Sequence, residues 1–335
     1  MKMNHKTFII AELSANHNKD FNLAKRTIQA IADSGADAVK VQTYKPDSLV
    51  LDCDNEYFGP ISTGLWKGIR RYDLYKEGAM PYEWQPELKE LAESLGLVFF
   101  STPFDLEGVD FLAQMNIPIF KIASFEINDI PLIKAVAALQ KPIIISTGVA
   151  GIDDIELAIE TCHNEGCYDI TLLKCTSEYP APYEQANLVT IPDMKSRFNV
   201  KVGLSDHTLG SAVASAAVAL GATVIEKHFT LSRSLEGPDS CFSMEPDEFR
   251  KMVDNIRIIE KALGTISYEL DDSKKKKRRS IYATKDIFPG DTFTKDNIRS
   301  FRPSAGISPK YYDLLLGKIS KRHIVRGEPL LDIDL

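Results

Sequence analysis

Two short β-branched runs in the second half of the chain, VKVGLSDH and TVIEKHFT, each contain a histidine near the end, His207 and His228. The small apolar residues 210–221 between them predict one helix. The segment therefore predicts a parallel strand–helix–strand unit whose strand ends lie at the same edge of a sheet. Each histidine has an acidic neighbour, Asp206 or Glu226. Two imidazoles with nearby carboxylates are a plausible half of a divalent metal site, although hydrogen-bonded histidines at a sheet edge would give the same pattern.

Lysine is unusual inside apolar strands, yet three of the predicted strands contain one. Lys40, Lys121 and Lys174 interrupt the runs AVKVQTY, IFKIAS and ITLLKCTS. A buried lysine is costly unless it is paired. Serine and threonine hydroxyls lie at the ends of the same strands. Three converging ammonium groups among hydroxyls predict a site for a compact anion that carries a phosphate or a carboxylate.

These residue types allow two kinds of carbonyl chemistry. A desolvated lysine in a barrel is a nucleophile for Schiff-base formation, as in aldolases. A metal ion held by the two histidines would instead polarise a carbonyl oxygen toward addition. The residue pattern alone leaves both possibilities open.

The elements that position these residues alternate between short apolar strands and amphipathic helices. Repeated strand–helix units predict an α/β fold with a parallel sheet, and eight of them over this length are typical of a (β/α)8 TIM barrel. An open doubly wound sheet usually has a glycine-rich turn after its first strand, where this chain reads ELSANHNKD. The predicted strands are residues 8–13, 38–44, 97–103, 119–124, 142–148, 170–177, 200–207 and 223–230.

A long aromatic-rich insertion, residues 45–85, follows the second predicted strand. We interpret it either as a lid or binding wall or as a surface excursion with its own small core.

The composition changes again after the last predicted helix. The run Lys274–Arg279 favours a solvated linker over a nuclear-localisation or polyanion-binding patch. Beyond it lie short strands, Gly–Asp and Pro–Gly turns and no long helix, in a segment too small to be readily stable alone. The predicted boundaries are 1–268 for a catalytic barrel, 269–280 for a charged linker and 281–335 for a small C-terminal domain.

The overall composition is that of a globular protein, with 44% hydrophobic and 26% charged residues. The net charge of −7 argues against general nucleic-acid binding. The sequence predicts no membrane span and no signal peptide. The five cysteines are odd in number and form no CxxC pair. They predict free thiols in a reducing cytoplasm.

Several of these segments together resemble the sialic acid synthase family, over nearly the whole chain. The first turn, ELSANH, and the stretch LYKEGAMPYEW resemble the pseudaminic branch of that family rather than the branch that reads Glu-Ile-Gly-x-Asn-His. The small domain resembles the family's antifreeze-like (SAF-type) domain. The matching segments are IIAELSANH, AVKVQTY, STPFD, FKIASFEIND, IISTGVA, LLKCTSEYPAP, VGLSDHT, VIEKHFTLSRSLEGPDS and RPSAGISP.

The resemblance implies a transferase that condenses phosphoenolpyruvate with an open-chain amino-sugar aldehyde, giving a nine-carbon 2-keto acid and phosphate. The expected sugar is 2,4-diacetamido-2,4,6-trideoxy-L-altrose, with N-acetylmannosamine or the legionaminic precursor as the alternative. A non-catalytic carbohydrate-binding barrel is the alternative from another class. The resemblance also implies a divalent metal ion held by His207 and His228. The expected ion is Mn2+, with Mg2+ or Co2+ as alternatives. The resemblance further implies that both histidines are catalytic residues.

The same resemblance assigns the remaining site residues. Glu12 and Glu126 are the other expected catalytic residues. The expected phosphoenolpyruvate contacts are Lys40, Thr102, Lys121, Ser124, Ser146 and Ser205. The expected sugar contacts are Gln42, Tyr179, Asp239 and, from the C-terminal domain of a partner subunit in a domain-swapped homodimer, Arg302.

Some of these positions have simpler interpretations. Tyr179 precedes a proline and could only brace a loop, and Asp239 lies in a Gly–Pro turn that aspartate favours. Ser124 and Lys121 differ in strand parity, so a bulge or a strand end is needed for both to point inward. Asn16 and His17, which we leave out of the site, could be a helix N-cap and a surface histidine.

Overall fold

The structure of the chain is a computed structural model that describes residues 6–334. It consists of two compact units, Met1–Gly264 and Thr265–Leu335. The larger unit contains the predicted barrel, and the smaller unit contains the predicted β-rich module.

Eight parallel strands close into a barrel in which each strand pairs with the next and β8 pairs with β1. The fold prediction is therefore confirmed, and each strand lies within the segment predicted for it. The strands are β1 Phe8–Glu12, β2 Ala38–Thr43, β3 Val98–Pro103, β4 Phe120–Ile122, β5 Ile143–Ser146, β6 Ile170–Cys175, β7 Lys201–Asp206 and β8 Val224–His228.

Helices surround the barrel and bury the apolar outer faces of the strands in one large core. Aspartates cap several of them; Asp20, for example, accepts hydrogen bonds from the first backbone N–H groups of α1. None of the helices in the described residues is both long and apolar enough to cross a membrane. The helices of this unit are α1 Phe21–Asp33, α2 Pro46–Leu49, α3 Arg71–Gly78, α4 Gln85–Ser94, α5 Leu106–Gln114, α6 Ile130–Ala137, α7 Ile152–Asn164, α8 Thr190–Phe198, α9 Ala212–Ala219 and α10 Pro246–Leu263.

The lower part of the barrel interior is filled by apolar side chains. Space is tight there, because a Cβ at Gly203 would lie 2.4 Å from the carbonyl oxygen of Val224. In barrels of this kind the chemistry occurs above such a layer, at the carboxyl ends of the strands. The layer consists of Ile10, Ala38, Phe100, Ile144, Leu173 and Val224.

The insertion after β2 contains α2, α3 and a small hairpin between them. Pro60 and Arg70 form an antiparallel bridge. Ile61 and Ile69 continue the ladder, since the Ile61 N–H donates to the Ile69 carbonyl over 2.9 Å.

The C-terminal unit has its own small apolar core, formed by residues that include Ile281, Phe293 and Leu330. Its elements are α11 Asp272–Lys276, β9 Ser280–Ala283, β10 Ile298–Phe301 and α12 Tyr312–Leu315, with β9 and β10 antiparallel. Helix α11 lies inside the segment predicted as a linker, where the charged residues are exposed.

A buried ion pair lies on the outer side of the barrel wall between β7 and β8. Lys227 Nζ lies 2.7 Å from Asp206 Oδ2 and donates to the carbonyl of Thr208 over 2.6 Å. The side chains of Lys227 and Asp206 are each only 1% exposed. Asp206 Oδ1 also accepts from the N–H and the hydroxyl of Thr208. The pair therefore fixes the turn that follows β7.

Replacing Lys227 by methionine should destabilise the fold, because it leaves the Asp206 carboxylate buried without its partner. We expect the free energy of unfolding in urea to fall by about 3–5 kcal/mol. Lys201→Met removes an exposed partner of Asp169 and should leave the unfolding free energy nearly unchanged. Equal effects of the two substitutions on the free energy of unfolding would contradict the stabilising role of the buried Lys227–Asp206 pair.

Candidate active site

A layer of buried polar side chains lies directly above the apolar layer of the barrel. Inward-facing positions in a strand are two residues apart. In β1, Glu12 follows Ile10 in this way, and in β8, Glu226 and then His228 follow Val224. The polar layer consists of Glu12, Lys40, Thr102, Lys121, Ser146, Cys175, Ser205 and Glu226.

Two lysines and two glutamates compensate one another's charge in the polar layer. Lys40 Nζ lies 2.5 Å from Glu12 Oε2 and 3.9 Å from Glu226 Oε2. Lys121 Nζ lies 3.9 Å from the other oxygen of Glu226. Such pairing offsets the desolvation of buried charges. Glu226 thus lies between the two ammonium groups.

Burial and pairing set the protonation states of this network. Burial raises the pKa of Glu12 to about 7, against the opposing effect of Lys40. Burial would also raise the pKa of Glu226, but Lys121 and Lys40 hold it below its ordinary value. Burial lowers the pKa of Lys121. Near neutral pH, Glu226 is ionised, whereas Glu12 can gain or release a proton.

Hydroxyl groups complete the layer by bonding the charged groups. The three hydroxyl residues of β3, β5 and β7 that are predicted to contact phosphoenolpyruvate each have such a partner. The bonds are Lys40 Nζ to Thr102 Oγ1 (3.2 Å), Lys121 Nζ to Ser146 Oγ (2.6 Å) and Ser205 Oγ to Glu226 Oε1 (3.0 Å).

Ser124 also lies at the barrel mouth. It can point inward although it differs in strand parity from Lys121, because the strand ends before it. β4 stops at Ile122, and Ser124 begins a short 3-10 turn. Its hydroxyl accepts from the N–H of Gly148 over 3.1 Å. A Cβ at Gly148 would lie 2.9 Å from that oxygen, so glycine permits the close approach.

Lys174 is not part of the layer, so the prediction of three converging lysines is wrong. Its neighbours Leu173 and Cys175 belong to the two interior layers, and a side chain between them must face outward. Lys174 Nζ donates to the carbonyl of Cys175 over 2.7 Å. The side chain lines a cavity of about 350 Å³ against α7 and α8, outside the barrel.

The two histidines lie together above the polar layer, with ring centroids 5.2 Å apart. His207 Nδ1 lies 2.9 Å from the carbonyl oxygen of Thr176. A carbonyl only accepts, so Nδ1 bears a proton, and in the neutral ring Nε2 keeps a lone pair. His228 Nδ1 is buried without a hydrogen-bond partner among the described residues and lies 3.9 Å from Asp239 Oδ2.

Aromatic rings surround the histidines. The ring of Tyr179 packs on that of His207, with ring centroids 4.4 Å apart, and on that of Phe242, with ring centroids 5.1 Å apart. From the other side, the ring of Trp66 in the insertion lies 5.6 Å from that of Tyr179. The insertion thus reaches the barrel mouth, which favours the binding-wall interpretation.

A hydrogen-bonded chain connects two of the predicted sugar contacts. Gln42 Nε2 donates to Ser14 Oγ over 3.0 Å, and Ser14 Oγ donates to Asp239. Burial raises the pKa of Asp239, although the bond from Ser14 opposes that shift. Gln42 and Asp239 are therefore held on the same side of the mouth.

Glu126 and Arg302 occupy different surroundings. Glu126 ends the turn that starts at Ser124, and burial raises its pKa to about 7 against the opposing charge of Lys121. Its Oε2 is buried without a hydrogen-bond partner in the described residues. Arg302 belongs to the C-terminal unit, where it follows β10 and is exposed.

Comparison with known proteins identifies the family to which the chain belongs. A model of the NeuB family matches residues 27–268, and a model of the SAF domain matches residues 278–335. The first match covers more than half of the chain. The chain belongs to the NeuB family.

Relatives of this NeuB-family chain match along nearly its whole length. A pseudaminic acid synthase from Campylobacter jejuni is 46% identical over 98% of this chain and 96% of its own. An N,N'-diacetyllegionaminic acid synthase from the same species is 41% identical over 96% and 98%. The crystal structure of an N-acetylneuraminic acid synthetase from Leptospira borgpetersenii, in complex with citrate, is 34% identical. It covers 81% of this chain and 90% of its own, with a TM-score of 0.73.

The histidines of this NeuB-family chain fit a divalent metal ion. His207 offers Nε2, and His228 has an orphaned buried nitrogen beside the carboxylate of Asp239. Imidazole and carboxylate are donors that suit Zn2+, Mn2+ and similar ions. In residues 6–334 no cluster of three or more histidine, cysteine or acidic side chains is arranged around one point. Water or substrate oxygens would therefore have to complete the coordination.

Two residues of the polar layer were missed as site residues. Glu226 was recognised only as an acidic neighbour of His228, although the two-residue strand period places both inward. Cys175, predicted only as a free thiol, lies with its Sγ 3.9 Å from His207 Nδ1. The same period, counted from Leu173, would have identified it.

The interpretation of Asn16 and His17 as an N-cap and a surface histidine is wrong. Both are buried, and Asp20 caps α1 instead. Asn16 Nδ2 donates to the carbonyl of Phe229 over 2.9 Å. His17 Nε2 lies 3.2 Å from the carbonyl oxygen of Gly78, and burial lowers the pKa of this imidazole to about 4. His17 therefore anchors the end of the insertion in its neutral form.

The raised pKa of Glu126 should make its contribution to stability depend on pH. Below about pH 4.5 both the folded and the unfolded chain hold the proton. Between pH 4.5 and 7 only the unfolded chain releases it, so this residue lowers the free energy of unfolding as the pH rises. Glu126→Gln should remove that loss. The change that the substitution makes in the free energy of unfolding should therefore be more favourable at pH 8 than at pH 4.5, by about 1–3 kcal/mol.

Urea unfolding of the wild type and the variant at both pH values measures this difference. Glu90→Gln, at an exposed position of α4, is the matched control. If both substitutions shift stability equally at the two pH values, burial does not control the Glu126 carboxyl.

Proposed function

We propose that the chain is a pseudaminic acid synthase. In this reaction phosphoenolpyruvate condenses with 2,4-diacetamido-2,4,6-trideoxy-L-altrose. One observation supports the proposal most strongly: two buried lysines, paired with two glutamates, lie directly beneath two histidines in a chain 46% identical to such a synthase. In this proposal, the lysines form a site for the anion, and the histidines directly above them form a site for the carbonyl group.

The proposed reaction consumes one water molecule and releases one phosphate. The methylene carbon of phosphoenolpyruvate attacks the sugar aldehyde and forms the new carbon–carbon bond. Water adds to the second carbon of the enolpyruvate unit. The resulting tetrahedral centre expels phosphate and becomes the 2-keto group of a nine-carbon acid.

Phosphoenolpyruvate is proposed to bind in the polar layer. The ammonium groups of Lys40 and Lys121 face its negative charges, with Glu226 fixing both lysines from below the substrate. A protein-lined, water-poor site strengthens such interactions. The proposed contacts are Lys40, Thr102, Lys121, Ser124, Ser146 and Ser205.

Two carboxyl groups are proposed to handle protons. Glu12 has a pKa of about 7 and can accept a proton from the attacking water or return one to the aldehyde oxygen. Glu126, with a similar pKa, faces the charge of Lys121 from the edge of the layer. Both are therefore able to change protonation state near neutral pH.

The sugar is proposed to bind above, among Gln42, Tyr179 and Asp239. Arg302 is proposed to come from the C-terminal unit of a partner in a domain-swapped homodimer. His207 and His228 would hold a divalent metal ion, with Mn2+ our choice over Mg2+ or Co2+; when bound, it polarises the aldehyde carbonyl. We propose a cytoplasmic location because all five cysteines are free thiols.

Phosphate release from phosphoenolpyruvate tests the proposal directly. We expect release with the diacetamido-altrose sugar and Mn2+, no release without sugar, and none in EDTA. Phosphate release with N-acetylmannosamine or the legionaminic precursor instead would support the same reaction with a different sugar substrate. Sugar binding without any phosphate release would favour the carbohydrate-binding alternative, and borohydride trapping of a lysine without a metal requirement would favour a Schiff-base aldolase.

The structure provides a matched pair of lysines to test the anion site. Lys121→Met removes an inward ammonium group, and we expect kcat/KM for phosphoenolpyruvate to fall at least about 100-fold. Lys174→Met, on the outer side of the wall, should change it less than about threefold. Thermal unfolding of both variants controls for folding. Similar losses in the two variants would place the anion site elsewhere.

A further inference from the structure

The tip of the insertion has one residue that stands apart from its neighbours. In residues 62–69, which form the end of the hairpin, every residue except Trp66 is exposed. The hairpin itself has little apolar contact with which to hold its position. The partly buried indole is therefore the contact that fixes the tip.

Trp66 touches two loops that follow other strands of the barrel. Its Nε1–H donates to the carbonyl oxygen of Pro238 over 3.1 Å, in the loop after β8. Its ring lies 5.6 Å from the ring of Tyr179, in the loop after β6. Pro238 immediately precedes Asp239. One indole therefore contacts Tyr179, a proposed sugar contact, and the residue that precedes Asp239, another proposed sugar contact.

The other end of the insertion is anchored separately. The carbonyl of Gly78 bonds His17, and Tyr75 packs edge-on against Tyr44 with ring centroids 6.1 Å apart. These contacts remain when Trp66 is changed. Loss of the indole should therefore release the tip alone, without unfolding the insertion or disturbing the polar layer below.

We propose that Trp66 is a positioning residue that holds Tyr179 and the loop of Asp239 in the geometry that binds the sugar. This inference rests on the proposed function and deepens it. Trp66 makes no contact with the lysine–glutamate layer, so its role concerns the sugar and not phosphoenolpyruvate. The N–H of the indole fixes the loop, and its ring supports Tyr179.

Steady-state phosphate release with Trp66→Phe and Trp66→Ala separates these roles. Phenylalanine keeps a ring but loses the N–H, so KM for the sugar should rise about 3- to 10-fold. Alanine loses both, and KM should rise further. In both variants KM for phosphoenolpyruvate and the temperature of unfolding should stay at wild-type values. Trp84→Phe keeps a ring beside Phe21 and His17, neither of which is a proposed sugar contact, so this matched control should leave both KM values unchanged.

Intrinsic fluorescence gives a second readout, because the chain has only two tryptophans. In Trp84→Phe, Trp66 is the one remaining tryptophan. When sugar is added to this variant in the presence of Mn2+ and a phosphoenolpyruvate analogue, the fluorescence emission of Trp66 should change. In Trp66→Phe, where Trp84 remains, the same addition should not.

The outcomes distinguish this inference from the proposed function. An unchanged sugar KM in Trp66→Ala, with normal wild-type turnover, overturns the role of Trp66 alone. An equal rise in both KM values also overturns it, because that pattern indicates a general structural effect. Absence of phosphate release by the wild type with every sugar overturns the proposed function itself.

Discussion

The constraint on which the site depends is the burial of two ammonium groups inside a closed barrel. Lys40 and Lys121 are almost fully removed from solvent, and neither could remain charged there without nearby carboxylates. Glu226 lies within 3.9 Å of both, and Glu12 lies 2.5 Å from Lys40. The four charges therefore form one unit, and replacing any one of them changes the protonation of the others.

The same constraint divides the barrel into layers. Below the charged unit, the interior is apolar and so tightly packed that Gly203 has no space for a side chain. Above it, the loops are free to differ, because the strands alone fix the charged unit. This separation is typical of TIM barrels, in which the barrel provides stability and the loops after the strands provide the chemistry.

The sequence predicted the barrel well, because each strand is a short apolar run followed by a helix with clear periodicity. It also identified most of the polar layer, since polar residues near the ends of apolar strands are conspicuous. The error at Lys174 arose from treating a lysine in a strand as inward-facing without counting the period from Leu173. The same count, applied to β8 from Val224, would have placed Glu226 inside the barrel.

Other features depend on tertiary contacts that no local pattern encodes. The hydrogen bond of Trp66 joins residues far apart in sequence, within an insertion whose aromatic composition fits a wall and a surface excursion equally well. The burial of His17 depends on where that insertion ends. Arg302 lies in a separate unit, and its proposed role involves a second copy of the chain, which no local pattern encodes.

The spacing of the strand backbone gives the layers a common scale. Two residues along a strand correspond to about 6–7 Å, so His228 lies roughly that far above Glu226 on the same strand. In the proposed reaction, phosphoenolpyruvate bound by the lysines can then place its methylene carbon next to an aldehyde carbonyl held at the histidines. Both layers belong to the same closed barrel, so the proposed reaction needs no rearrangement of the strands to bring the two carbons together. In the proposed reaction, the loops, including the hairpin with Trp66, determine which aldehyde occupies the upper layer.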